Sequence, residues 1–204
     1  MHPDRDWLDG LFRPPAAITL LSGPSGSGKT LLCLRAVAAA RAAGLIVRGV
    51  LTPGHYAADG ARVGIDLLDP ATGQRWPLAV RHEQDAGASL DAGASSDAGA
   101  SLDAGASLEA PGSVITIHWR FAPDVLARGA ALLVASGACD LLVIDEIGPL
   151  ELQRNQGWVV ALDVLRAAAY RRALVVIRPG LLEALLARLA PLPAHVIVLP
   201  GPQH

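Results

Sequence analysis

Residues Gly23-Pro24-Ser25-Gly26-Ser27-Gly28-Lys29-Thr30 carry the spacing G-x-x-x-x-G-K-[ST], in which backbone N–H groups cradle phosphates. Lys29 is the only lysine of the chain; the rest of its 17 basic residues are arginine. A compact ammonium on a flexible stem can reach between the β- and γ-phosphates, where a planar guanidinium does not fit the same cradle. Gly23, Gly26 and Gly28 let the backbone wrap closely around the ligand. The Thr30 hydroxyl is the expected magnesium ligand, and Gly23 through Leu31 are the candidate nucleotide-binding residues. A second constellation lies downstream, in Leu141-Leu-Val-Ile-Asp145-Glu146. A carboxylate ending a buried strand stands at the sheet edge where ligands bind. Asp145 is thus a candidate for holding Mg²⁺ beside Thr30, and Glu146 for deprotonating an attacking water. Pairing of Glu146 with an arginine in a structural role is the competing reading.

The elements around these residues have the required order. Ala16–Leu21 is an apolar run of strand length, and Leu31–Ala40 is a strong helix former, so the glycine loop opens a helix. Gly44 marks that helix's end, and Leu45–Leu51 reads as a strand. An irregular stretch covers Thr52–Gly60. Two strands, Ala61–Asp69 and Arg75–Arg81, are joined by the hairpin signal Pro70-Ala-Thr-Gly73. Val114–Phe121 reads as a strand and Pro123–Ser136 as a helix. Leu141–Asp145 is nearly continuous in apolar residues, as in strands buried on both faces of a parallel sheet. Helix Gln156–Arg171, strand Ala173–Ile177, helix Leu181–Leu189 and strand His195–Leu199 complete the series. The expectation is an α/β fold with a mainly parallel sheet and an antiparallel hairpin, in a single domain spanning residues 1–204.

Residues 85–108 interrupt this alternation with Asp-Ala-Gly-Ala-Ser followed by Leu or Ser, four times at a period of six. So little bulky side chain cannot offset the entropy of ordering, which predicts a disordered low-complexity insertion. The repeat holds four Asp and no basic residue; removing its −4 from the net −2 leaves the remainder at +2. No basic field points to nucleic acid. The chain is 51% hydrophobic with a mean hydropathy of +0.37, yet no apolar run reaches the length of a spanning helix; Asp140 splits the nearest one. Acidic residues in Met1–Asp6 do not fit a secretory signal. Cys33 and Cys139 read as buried apolar residues, and a cytoplasmic location is expected.

The two constellations together resemble the cancer-related nucleoside-triphosphatase family and its thermophile homologues. The resemblance rests on Gly-Pro-Ser-Gly-Ser-Gly-Lys-Thr30 and on Asp145-Glu-Ile-Gly-Pro-Leu-Glu-Leu152. Arg48-Gly-Val-Leu-Thr52 and Gly60–Asp66 are similar to the family's hairpin region. It implies a P-loop, RecA-like three-layer sandwich that hydrolyses several nucleoside triphosphates with Mg²⁺. On it, Lys29 and Thr30 take the phosphate and metal roles, Asp145 the magnesium role and Glu146 the base. The chain departs from the family at Pro53-Gly54-His55-Tyr56, and at Arg154–Trp158, where Trp158 fills an aromatic's place.

Other residues carry two readings. Arg178, at the end of a strand parallel to that of Asp145, is a candidate for stabilising γ-phosphate charge in catalysis; a solvated strand-end arginine is its equal rival. Arg62, Arg120 and Arg128 are weaker candidates. Trp119 and Phe121 could stack a base or fill core. His55, His82, His118 and His195 show no metal-ligand spacing. The Asp145-Glu-Ile-Gly148 run contains the D-x-x-G of GTPases, but an N-K-x-D motif cannot exist where Lys29 is the only lysine. Besides a nucleoside-triphosphatase, a nucleotide or small-molecule kinase and a nucleotide-gated regulatory module stay open. The expected partner is a nucleoside triphosphate, with no nucleic acid and no membrane, and self-association is open because RecA-like enzymes often borrow an arginine from a neighbour.

Overall fold

The computed structural model describes residue 10 and residues 17–81, 114–115 and 119–201; the repeat at 85–108 lies outside them. Five parallel strands form the main sheet: β1 (Ile18–Ser22), β2 (Val47–Val50), β8 (Cys139–Ile147), β9 (Tyr170–Ile177) and β10 (Ala194–Val198). Their spatial order is β10-β1-β9-β8-β2. Five shorter strands form a second, antiparallel sheet: β3 (Gly54–Tyr56), β4 (Arg62–Leu68), β5 (Arg75–Arg81), β6 (Val114–Ile115) and β7 (Trp119–Phe121). The order there is β3-β4-β5-β7-β6. The expected hairpin, β4 and β5, is therefore the centre of a larger sheet inserted between β2 and β8.

Alternation along the parallel strands divides the core in two. Ile18, Leu20, Leu142, Ile144, Ala173, Val175 and Ile177 face one way. They meet Val125 and Leu133 of α2 (Pro123–Val134), Leu162 and Leu165 of α4 (Val160–Ala167), and Leu185 and Leu189 of α5 (Leu182–Leu189). Leu21, Leu141, Val143, Leu174 and Val176 face the other way, onto Cys33, Ala36, Val37 and Ala40 of α1 (Lys29–Ala42). Small side chains on that helix let it lie close to the sheet. The result is a three-layer α/β/α sandwich, as expected. Both cysteines are free and buried, and burial pushes the Cys33 thiol well above its ordinary range.

Two expected elements differ, and the stretch expected to be irregular over Thr52–Gly60 holds β3. The helix expected over Gln156–Arg171 is confined to Val160–Ala167. Ala168 adopts φ 50, and Tyr170 already belongs to β9. The eight-residue β9 needs those arginines and the tyrosine as its entry, so sheet pairing overrides their helical compatibility. The strand expected over Val114–Phe121 is two short strands that pair with each other, Val114 opposite Phe121 and Ile115 opposite Arg120.

Candidate active site

In a parallel sheet all strands end on the same edge, so β1, β2, β8 and β9 deliver their following residues to one place. β1 runs into the glycine loop, which enters α1 at Lys29. A side chain at Gly23 would press on the Leu199 carbonyl, at 2.7 Å, so only glycine lets the loop pass β10. Lys29 Nζ donates to the Gly23 carbonyl at 2.8 Å, the Pro24 carbonyl at 2.6 Å and Ser27 Oγ at 3.2 Å. Burial lowers the pKa of this ammonium, with Glu146 and Asp145 opposing that shift and Arg178 adding to it. The two ends of the candidate site therefore share one electrostatic environment.

Asp145, on β8, is 1% exposed. Its carboxylate accepts from Thr30 Oγ1 at 3.2 Å, the Thr52 amide at 3.0 Å and Thr52 Oγ1 at 3.2 Å. Thr52 Oγ1 also lies 2.9 Å from the Asp145 carbonyl, to which it can donate. Burial pushes the Asp145 carboxyl up, against the bonds from Thr52 and Thr30. Thr52 was not singled out by the sequence. Its role follows from β2 pairing with β8, Val50 beside Ile144, and strand adjacency is not written in a local motif.

Glu146 follows in an irregularity of the β8–β9 ladder. Ile144 faces Val175 and Ile147 faces Ile177, so β8 carries one residue more than its partner between them. Glu146 takes φ 91, a conformation costly for a side chain with a Cβ and concentrated at functional sites. Such a bulge re-aims a side chain. Here it leaves Glu146 partly exposed and paired with Arg178, whose Nε lies 2.5 Å from its Oε1. Arg178, just after β9, is thus paired while its side chain stays largely exposed, and the arginine pairing weighed for Glu146 is what the structure holds. β9 lies between β1 and β8, so this arginine stands between the glycine loop and the two carboxylates.

Behind Glu146 the loop is braced. Glu151, 6% exposed, accepts from the Gly148 amide at 2.8 Å and the Trp158 amide at 2.9 Å. Burial raises its carboxyl, and those amides oppose the rise. It lies in a single-turn helix, α3 (Pro149–Leu152). The Trp158 indole donates to the Leu126 carbonyl at 2.9 Å and lies over Gly129, where a Cβ would overlap it.

A cavity of about 450 Å³ opens beside Asp145 and Glu146, walled by Ile65, Leu78, Trp119, Phe121, Leu126 and Trp158. Arg62 is 5.5 Å from the Trp119 ring centroid and donates to the Thr52 carbonyl at 3.3 Å. Arg128 instead stacks on Trp76, at 4.7 Å. His55 Nε2 lies 2.6 Å from an Asp66 carboxylate oxygen. No helix among the described residues is long and apolar enough to cross a membrane.

The donor set at Thr30 and Asp145 consists of oxygens, one of them a buried carboxylate with a hydroxyl at hydrogen-bond distance. Hard oxygen ligands of this kind fit a magnesium ion.

No curated protein matches the chain. The solved structure of THEP1 from the hyperthermophile Aquifex aeolicus is similar at 15% identity and a TM-score of 0.49, with 90% of each chain covered. The sequence model of a family described as NTPase matches residues 18–92, a segment that contains the glycine loop and stops short of Asp145 and Glu146. Over that segment the chain is similar to this NTPase family.

Proposed function

We propose that the protein is a magnesium-dependent nucleoside-triphosphatase that hydrolyses triphosphates of several bases to diphosphate and phosphate. The observation that carries this reading is the contact between Thr30 and Asp145, residues 115 apart in sequence. It brings the helix end of the glycine loop against a strand whose next residue is a partly exposed carboxylate. Thr30 and Asp145 would hold the metal, which when bound neutralises charge on the β- and γ-phosphates.

Lys29 turns from its own loop carbonyls to the phosphates, exchanging neutral acceptors for charged ones. Glu146 takes a proton from the attacking water as its oxygen approaches the γ-phosphorus in line with the departing diphosphate. Arg178, released from Glu146, places its guanidinium against the charge spreading over the transferred group. Breaking that ion pair leaves Glu146 a free acceptor at the moment the water needs one.

The test is phosphate release from ATP, GTP, CTP and UTP with Mg²⁺, comparing the wild type with Glu146→Gln. Several triphosphates should turn over in the wild type. The variant should lose about 10²–10⁴-fold in rate with nucleotide binding retained. Wild-type binding without phosphate release would overturn the hydrolase reading.

A further inference from the structure

A water molecule occupies roughly 30 Å³ of liquid, whereas the cavity beside Glu146 measures about 450 Å³. Activating water does not require such a space, nor six apolar side chains around it. Volumes of this size, with apolar walls and a few convergent polar groups, are those of small-molecule sites. The phosphate loop is not part of the wall: the cavity meets the nucleotide side through Thr52, Asp145, Glu146 and Arg178. It is therefore a space for something other than the nucleotide's phosphates.

The polar groups on its wall narrow the chemistry. Arg178 is committed to Glu146, and Glu151 is satisfied by two amides. Arg62 differs. One of its terminal nitrogens reaches the Thr52 carbonyl, and its guanidinium faces Trp119. Its Nε, buried beside Gly54, is out of a ligand's reach, which leaves the terminal nitrogens to meet one. None of the salt bridges found among the described residues involves Arg62. A guanidinium with no ion pair of its own, on the wall of a largely apolar cavity, is best met by an anion. Trp119, Phe121 and Trp158 offer faces and edges on which a planar ring packs.

We propose that this cavity is a second ligand site, for a small ring-bearing molecule with an anionic group, a carboxylate or its equivalent, that pairs with Arg62. The ring lies among Trp119, Phe121 and Leu126, and the anion meets the terminal nitrogens of Arg62. Such a molecule binds whether or not Glu146 activates water. If Glu146 does so, as proposed above, occupancy takes the space from which water approaches and slows phosphate release without displacing nucleotide.

The probe is 1-naphthoate, with 1-naphthylmethylamine as its cationic counterpart, titrated calorimetrically into the full chain without nucleotide. Saturable one-site binding of the naphthoate is expected, about tenfold or more tighter than the amine. Arg62→Gln should weaken the naphthoate about tenfold and leave the amine unchanged. Nucleotide binding by the same samples, followed with a fluorescent ATP analogue, shows that the variant is folded. It also separates failure of this site from failure of the triphosphatase reading. Non-saturable naphthoate binding by the wild type, equal binding of acid and amine, or full naphthoate affinity in a nucleotide-binding Arg62→Gln variant would each overturn the proposal.

Discussion

Glu151 has no place in the proposed reaction, yet two backbone amides converge on its buried carboxylate and fix the turn after Glu146. Its carboxyl is raised by burial from an ordinary 4.5, so the folded state holds its proton more tightly than the unfolded chain. The stability it contributes is then fully present below pH 4.5 and lost as pH rises through the raised folded value. Glu151→Gln removes that titration. The thermal midpoint of the wild type, measured relative to this variant, should be highest near pH 4 and fall as pH climbs to 7; an opposite slope would contradict the assignment. At this scale the glycine loop was fully legible, because its chemistry depends on contiguous residues. Asp145 and Glu146 were legible by type and spacing. The φ of Glu146, the identity of Arg178 as the arginine it pairs with and the Thr52 bonds to Asp145 were not, since each depends on strands that are neighbours only in space.

Among the elements, the edge strand β2 is held by a tight approach. Gly49 adopts φ 120 and a Cβ there would overlap the backbone of Val143 on β8. Both facts favour glycine, one through conformation and one through space. Gly49→Ala should therefore lower stability by about 2 kcal/mol or more, read as a lower denaturant midpoint with an unchanged slope. Because β2 carries Thr52 to Asp145, nucleotide affinity should weaken in the same variant. Buried strands such as Leu141–Asp145 could be read from their unbroken apolar runs. Element boundaries were harder: Arg166 to Arg172 suits a helix in isolation, and only the pairing of Cys139 with Tyr170 and of Leu141 with Arg172 assigns its last residues to a strand. The breadth of the second sheet was also hidden, since β3, β6 and β7 are two or three residues long.

In the molecule as a whole, one apolar cluster joins the two sheets: Ile65, Leu67, Leu78 and Ala79 of the antiparallel sheet share it with Ile144 and Val175 of the parallel one. The inserted sheet is thereby fixed against β8, the strand that carries Asp145, and the cavity lies along that seam. Arginine supplies all the fixed positive side-chain charge outside the glycine loop. Lys29 is thus the sole side-chain amine of the chain, and its pKa is lowered from 10.5. An amine-selective acylating reagent meets there a nucleophile more often unprotonated than an ordinary surface lysine, with no other side-chain amine to compete for it. Treatment with a small activated ester, followed by peptide mass spectrometry, should place the modification at Lys29, and saturating triphosphate should protect it. Labelling indifferent to triphosphate would mean that the ammonium never leaves its loop carbonyls. The same scarcity means that any lysine-directed modification of this chain, chemical or enzymatic, would strike its nucleotide site or strike no side chain at all.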